Sequence, residues 1–255
     1  MTVENWRTTH FEGDDIVLVE TIPDRVNNDA VVGVVVLVHG LGGQKHSETH
    51  ILAIQKLSNL GFATVCFDFP GHGESGGTTE TLTISKGAHL VDHIAHIAVN
   101  RYPRWPISFF GASYGGTCIL ASSAIKKAAS IVLRSPVSDY QSVRARQLGS
   151  EGLARWKRDG LIDGLISRNR LSPWAFYEEA GKIDLFACSS EHLAPLLIVQ
   201  GKDDDTVPMA DSIRLSEAWI GRSDVVMIEG DDHSLSDPVH TGLFVALGCH
   251  WIAKQ

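Results

Sequence analysis

The chain has little cysteine, no apolar run of membrane-spanning length, no extended basic stretch and no repeat or low-complexity segment. Each shortage narrows the possibilities. Its four cysteines, Cys66, Cys118, Cys188 and Cys249, lie far apart, make no C-x-x-C pair, and three of them sit in apolar runs. That usage speaks against a disulfide scaffold and for a reduced, cytoplasmic protein. Residues 1–7 carry neither the basic start nor the apolar core of a signal peptide, so secretion and membrane insertion are not expected. Acidic residues outnumber basic ones, 30 to 22, for a net charge of −8. Without a basic run to localise phosphates, nucleic acid is not an expected partner.

What is present is a near-average apolar fraction, 44% of 255 residues, enough for one substantial core. The expectation is a single domain over residues 1–255 with an insertion. Two alternating segments, residues 8–11 and 16–20, read as an antiparallel pair joined through Gly13, Asp14 and Asp15. Residues 31–38 are nearly all valine, the pattern of a strand buried on both faces of a parallel sheet. Further strands are predicted at 62–67, 107–110, 130–133, 196–200 and 224–228, alternating with helices at 50–60, 82–100, 117–127, 209–220 and 238–253. Such alternation predicts an α/β, doubly wound, mostly parallel sheet with helices on both faces. Residues 136–193 break the rhythm with short helical stretches around Trp156, Leu161, Ile162, Leu165, Ile166, Trp174 and Phe176. They are read as a helical cap or lid over the strand ends, where ligands of open parallel sheets bind.

The most informative stretch is Gly111-Ala112-Ser113-Tyr114-Gly115, a serine between glycines directly after a predicted strand and before a predicted helix. This is the pattern of a nucleophile elbow, a sharp turn whose flanking positions must be nearly free of side chains. A serine hydroxyl needs a base to take its proton and a carboxylate to orient that base. Downstream of the 196–200 strand lies Lys202-Asp203-Asp204-Asp205-Thr206-Val207-Pro208, and downstream of the 224–228 strand lies Asp231-Asp232-His233-Ser234. Parallel strands bring both loops to the edge that carries Ser113, and the chain order is Ser, Asp, His.

On these motifs the chain resembles an α/β hydrolase of the Ser-His-Asp type over most of its length apart from the insertion. His39-Gly40-Leu41-Gly42-Gly43 resembles the oxyanion loop of that family, and Asp68-Phe69-Pro70-Gly71-His72-Gly73-Glu74-Ser75 the loop after the next strand. The resemblance implies backbone N–H groups of Leu41 and Tyr114 as oxyanion donors, Ser113 as nucleophile and His233 as base. The family pattern G-x-x-D-x-x-V-P, laid on residues 201–208, selects Asp204 as the orienting acid, with Asp203 as the alternative. It also implies a serine esterase that works on a small acyl ester without metal or organic cofactor. Thioester hydrolysis or acyl transfer, aminopeptidase activity and a non-turnover ligand receptor stay open, as does a homo-oligomer.

Several features have two readings. His89, His93 and His96 share a helix face that suits a metal, or simply the flank of an amphipathic helix. Within residues 139–170 of the insertion, Arg144, Arg146, Arg155, Lys157, Arg158, Arg168 and Arg170 outnumber the carboxylates Asp139, Glu151, Asp159 and Asp163. This suits either the capture of an anionic substrate or an ordinary charged surface, the latter preferred. Trp156, Trp174 and Phe176, with Tyr177, suit substrate binding or coverage of the core. His39 and His72 are expected to act as structural hydrogen-bonding groups.

Overall fold

The valine run becomes the centre of the sheet because it can be buried on both faces. The computed structural model describes residues 2–23, 31–165, 170–189 and 193–255; Ile166, Arg168 and His192 fall outside them. Strands β1 (Thr2–Phe11), β2 (Asp14–Pro23), β3 (Gly33–Val38), β4 (Phe62–Phe67), β5 (Ile107–Ala112) and β6 (Ala128–Arg134) alternate with helices α1 (Glu48–Asn59), α2 (Ile84–Arg101) and α3 (Tyr114–Ala121). After β6 come α4 (Tyr140–Asp159), β7 (Leu161–Asp163), β8 (Leu171–Pro173), α5 (Trp174–Ala180) and α6 (Leu185–Ser189). The chain then completes the sheet with β9 (Leu196–Gly201), α7 (Met209–Ala218), β10 (Ser223–Ile228) and α8 (Pro238–Ala253).

The eight-stranded sheet runs β1-β2-β4-β3-β5-β6-β9-β10, with every pair from β4 to β10 parallel and the two N-terminal pairings antiparallel. Alternate side chains of a strand face opposite ways. Val34, Val36 and Val38 therefore pack with Leu90, Ile94 and Ile119 of α2 and α3. Val35 and Leu37 pack with Leu57 of α1 and Phe244 of α8 on the other face. The loops after β5, β9 and β10 consequently emerge at one edge.

Several boundaries differ from those read in the sequence: the first strand begins at Thr2 rather than at 8, and the valine strand at Gly33 rather than at 31. The β1–β2 turn is Glu12-Gly13, both at positive φ (48° and 89°), as a two-residue hairpin with matching twist requires. Asp14 and Asp15 instead pair with Phe11 and His10. Helix α3 begins at Tyr114 rather than at 117 and stops at Ala121, because Ser122 turns extended (φ −80°, ψ 150°) and donates its hydroxyl to Ile119 O at 2.9 Å. The remainder, Ser123–Lys127, is a 3-10 turn.

Between β6 and β9 the chain leaves the sheet. Helix α4 bends at Gly149, whose φ of 63° and ψ of 178° interrupt the helical geometry. The antiparallel β7–β8 pair, too short to be read from pattern alone, lies between it and α5. Trp156 is fully buried, donates its indole N–H to Ser172 O at 3.0 Å and meets Trp174 edge-on at 5.4 Å. This aromatic group fastens α4 to α5. Among the described residues no helix is long and apolar enough to cross a membrane.

Candidate active site

Ser113 stands between the last residue of β5 and the first of α3, at φ 50° and ψ −120°. A residue with a Cβ is strained in that region. Its N–H donates to Arg134 O at 2.8 Å and its carbonyl accepts from Thr117 N at 3.1 Å, which hold the turn in place. The flanking glycines are sterically required. A Cβ on Gly111 would lie 2.5 Å from Ile119 Cδ1, and one on Gly115 only 2.4 Å from the carbonyl oxygen of Val38. Their bareness lets α3 descend onto the ends of β5 and β3.

The loops after β9 and β10 meet because Gly201 leaves room for the carbonyl of Asp231, which a Cβ there would approach to 2.2 Å. Asp203 N donates to that same oxygen at 3.0 Å. His233 Nε2 then lies 2.9 Å from Ser113 Oγ, and His233 Nδ1 lies 2.9 Å from Asp204 Oδ2. Of the three adjacent aspartates, Asp204 faces the imidazole with its side chain 1% exposed, while Asp203 and Asp205 point to solvent. Oδ1 of Asp204 accepts from the N–H groups of Thr206 and Val207 at 2.9 and 2.8 Å, and Oδ2 also accepts from Gln200 Nε2 at 3.0 Å. Burial pushes this carboxyl up, but the bonds from His233, Val207 and Thr206 outweigh it and hold its pKa below the usual range.

Leu41 lies beside Ser113 in a turn closed by Gly43 N donating to Gly40 O at 3.1 Å, with Gly42 at φ 77°. Tyr114 is the first residue of α3, one of the positions whose N–H has no intrahelical acceptor. Two histidines hold the Leu41 turn. His72 Nε2 accepts from Gly42 N at 3.1 Å and its Nδ1 faces Pro70 O at 3.0 Å; His39 Nε2 accepts from Phe69 N at 3.1 Å and its Nδ1 faces Gly40 O at 2.7 Å. In each ring one nitrogen must accept and the other donate, which requires the neutral imidazole. Beneath them the buried Lys45 bridges Asp68, at 2.5 Å, and Glu74. Burial opposes its charge, but its bonds to Asp68 and Glu74 raise its pKa.

Burial lowers the pKa of His39 to about 3 and those of His50 and His72 to about 4. Because these folded values lie below the ordinary 6.5, the unfolded chain takes up protons first as pH falls. The stabilisation from neutral burial is complete above pH 6.5 and is lost progressively from 6.5 towards 4 and below. At pH 5 the loss is about 2 kcal/mol per histidine. Melting curves are expected to show Tm about 10 °C lower at pH 5 than at pH 7.5. An unchanged Tm over that interval would contradict neutral burial.

A cavity of about 190 Å³ opens on Ser113 and His233. Leu41, Val137, Val143 and Leu165 form its apolar wall. Tyr140, Arg144, Gln147 and Thr206 supply its polar groups. Trp156, Trp174 and Phe176, read as substrate-binding residues, are not among the described residues of this lining. The two tryptophans pack on each other, and Phe176 packs against Tyr140 at 4.9 Å and Tyr114 at 6.0 Å. Of the lining, the sequence singles out Leu41, Ser113, His233 and Arg144 but not Tyr140 and Gln147, although 140, 144 and 147 have the spacing of one helix face. His93 bonds Thr9 and His96 bonds Asn100, each at 2.8 Å, so these two flank α2 with partners of their own.

The parallel sheet with its antiparallel N-terminal pair, the elbow serine and the strand-end loops define an α/β hydrolase. More narrowly, the chain belongs to the serine aminopeptidase family S33, whose sequence profile matches residues 29–176. That match includes the elbow and ends before Asp204 and His233. Among solved structures, Est1E from Butyrivibrio proteoclasticus with ferulic acid bound superposes with a TM-score of 0.78 at 21% identity, over 97% of this chain and 99% of that one. Alpha/beta hydrolase domain-containing protein 10 from mouse gives 0.80 at 18% identity, over 98% and 99%. A monoacylglycerol lipase from Paleococcus ferrophilus gives 0.68 at 22% identity, over 87% and 94%. At these identities the likeness is one of fold.

Proposed function

We propose that the protein is a serine esterase that cleaves small carboxylic esters through an acyl-enzyme on Ser113. The observation that carries this reading is the unbroken hydrogen-bonded series Asp204, His233, Ser113, with a small cavity opening on its serine end. His233 Nε2 takes the Ser113 proton as Oγ attacks the ester carbonyl. The resulting oxyanion is received by the N–H groups of Leu41 and Tyr114, donors commonly worth about 3 kcal/mol each in the transition state. Collapse of the intermediate expels the alcohol, which leaves with the proton from His233. Water deprotonated by His233 then attacks the acyl carbonyl, and the second tetrahedral intermediate releases the acid and regenerates the Ser113 hydroxyl. Every proton taken by His233 is returned, so no cofactor is consumed.

Est1E and the lipase, by their names, point to the same ester chemistry. The family description points instead to an aminopeptidase, which must receive a free ammonium group. The described lining residues hold no carboxylate for one, and their permanent charge is the positive one of Arg144. Ester cleavage is therefore the better reading. The segment over residues 136–193 serves in it as the lid, since it contributes Tyr140, Arg144, Gln147 and Leu165 to the cavity. The buried, unpaired thiols of Cys66, Cys118 and Cys249 suit a reducing, cytoplasmic location.

The test is covalent. A fluorophosphonate is expected to label the protein stoichiometrically, with the added mass on the peptide that contains Ser113, while p-nitrophenyl acetate is turned over repeatedly. Labelling at another residue, or one slow turnover without a second, would sink the proposal.

A further inference from the structure

Among the described residues two cations are buried, Lys45 and Arg144, and a third, Arg134, is part-buried. Lys45 bridges Asp68 and Glu74. The guanidinium of Arg134 is attracted by Asp232, Asp231 and Asp204. Arg144 has no such company. It is 6% exposed, its Nη1 donates to Gln147 Oε1 at 2.7 Å, and it stacks over the Tyr140 ring at 5.5 Å. Its Nε has no hydrogen-bond partner among the described residues. A guanidinium keeps its charge at all physiological pH, and burying a charge without a counter-ion is destabilising.

Arg144 is also where a ligand would meet it. It lines the cavity that opens on Ser113, and the described lining contains no carboxylate. Its neighbour Arg146 is different: that side chain is exposed and reaches the carbonyl of Thr206 at 3.4 Å. Arg155, Lys157 and Arg158 are exposed as well, whereas Arg144 is set inside the site. We infer that Arg144 receives a carboxylate of the substrate, so that the preferred esters are those that carry a carboxylate a few bonds from the scissile carbonyl. Arg144 and Ser113 line the same cavity, which keeps that separation short. Arg144 then acts as a specificity-determining residue, supplying through its N–H edge the charge-assisted bonds that a carboxylate accepts.

This inference rests on the esterase reading, and the experiment separates the two. The probes are p-nitrophenyl hydrogen adipate against p-nitrophenyl hexanoate, for a carboxylate on the acyl side, and para-acetoxybenzoate against para-acetoxybenzamide, for one on the alcohol side. In at least one pair, kcat/KM is expected to favour the anion by about tenfold or more, and Arg144→Gln to lose that preference, bringing the ratio of anionic to neutral ester close to one. Arg144→Lys should restore part of it, since it keeps the charge but not the planar fork. No anionic preference in either pair, or equal losses on anionic and neutral esters in Arg144→Gln, would overturn the inference.

Should the protein hydrolyse none of these esters, the esterase reading fails and binding decides the role of Arg144. Monomethyl adipate and dimethyl adipate are titrated calorimetrically into the Ser113→Ala protein and into Ser113→Ala/Arg144→Gln. Tighter binding of the mono-acid that disappears with Arg144→Gln supports the carboxylate site. Equal binding, or none, removes it.

Discussion

Replacing Ser113 by alanine is expected to lower kcat for a p-nitrophenyl ester by a factor on the order of 10⁵ to 10⁶, because the nucleophile and the acyl-enzyme route vanish together. That is about 7 to 8 kcal/mol of transition-state stabilisation. The fold is expected to survive. The contacts that hold the elbow, to Arg134 O and from Thr117 N, are made by the backbone of residue 113 and do not need its hydroxyl. The side chain contributes the part-buried bond to His233 Nε2. Alanine keeps the strain of a Cβ at φ 50°, so its stability should stay within about 0.5 kcal/mol of the parent. Ser113→Gly relieves that strain and should be as inactive but more stable by about 1 kcal/mol. Thermal melts alongside single-turnover kinetics read both. Ester hydrolysis by the alanine protein within about a hundredfold of the parent would remove Ser113 from the mechanism.

The second large effect is expected at Asp204, where asparagine should lower kcat by a factor on the order of 10⁴ with little change in KM. The reason is orientational. Thr206 N and Val207 N both donate to Oδ1, so an asparagine must keep its carbonyl oxygen there. Its amide nitrogen then replaces Oδ2, the atom that faces His233 Nδ1. A donor at that place turns Nδ1 into an acceptor and moves the ring proton to Nε2, the atom that must take the proton of Ser113. The base is lost although the imidazole stays where it was, while Gln200 Nε2 loses the acceptor it has in Oδ2. Nitrogen NMR of the imidazole should report the proton moving from Nδ1 to Nε2, and fluorophosphonate labelling should slow in parallel with kcat. Unaltered labelling would show that Asp204 does not orient the ring. Asp203→Asn provides the contrast, since its exposed carboxylate is expected to leave the rate unchanged.

Much of the fold could be read from the chain because its signals are local and redundant. The valine run announced β3, Phe62–Phe67 was read to the residue, and the last helix was framed by Asp237 and Pro238, which cap and start α8. The boundaries that moved did so for reasons beyond local pattern. Ser122 ended α3 early by bonding back to Ile119 O. The β7–β8 pair has three residues per strand, too few for a period to show.

The aromatic residues of the insertion illustrate the other limit. Trp156, Trp174 and Phe176 have the size and chemistry of pocket residues, yet the structure spends them on holding α4 against α5 and on backing Tyr140. Sequence shows that a large ring wants burial. It does not show against what.

By itself the sequence determined that Ser113 sits in a glycine-flanked turn after a strand, with an aspartate loop and a histidine loop after later strands, since backbone sterics and strand order are written in neighbouring residues. The tertiary structure brought Asp204, the aspartate that the family pattern selects, against His233 and left Asp203 and Asp205 exposed. It also decided that Arg144, one of eight positive charges in the insertion, is enclosed beside the serine. Both choices depend on the directions of side chains from segments far apart in the chain. Such directions are set when sheet, loops and insertion pack against one another, and no local pattern encodes them.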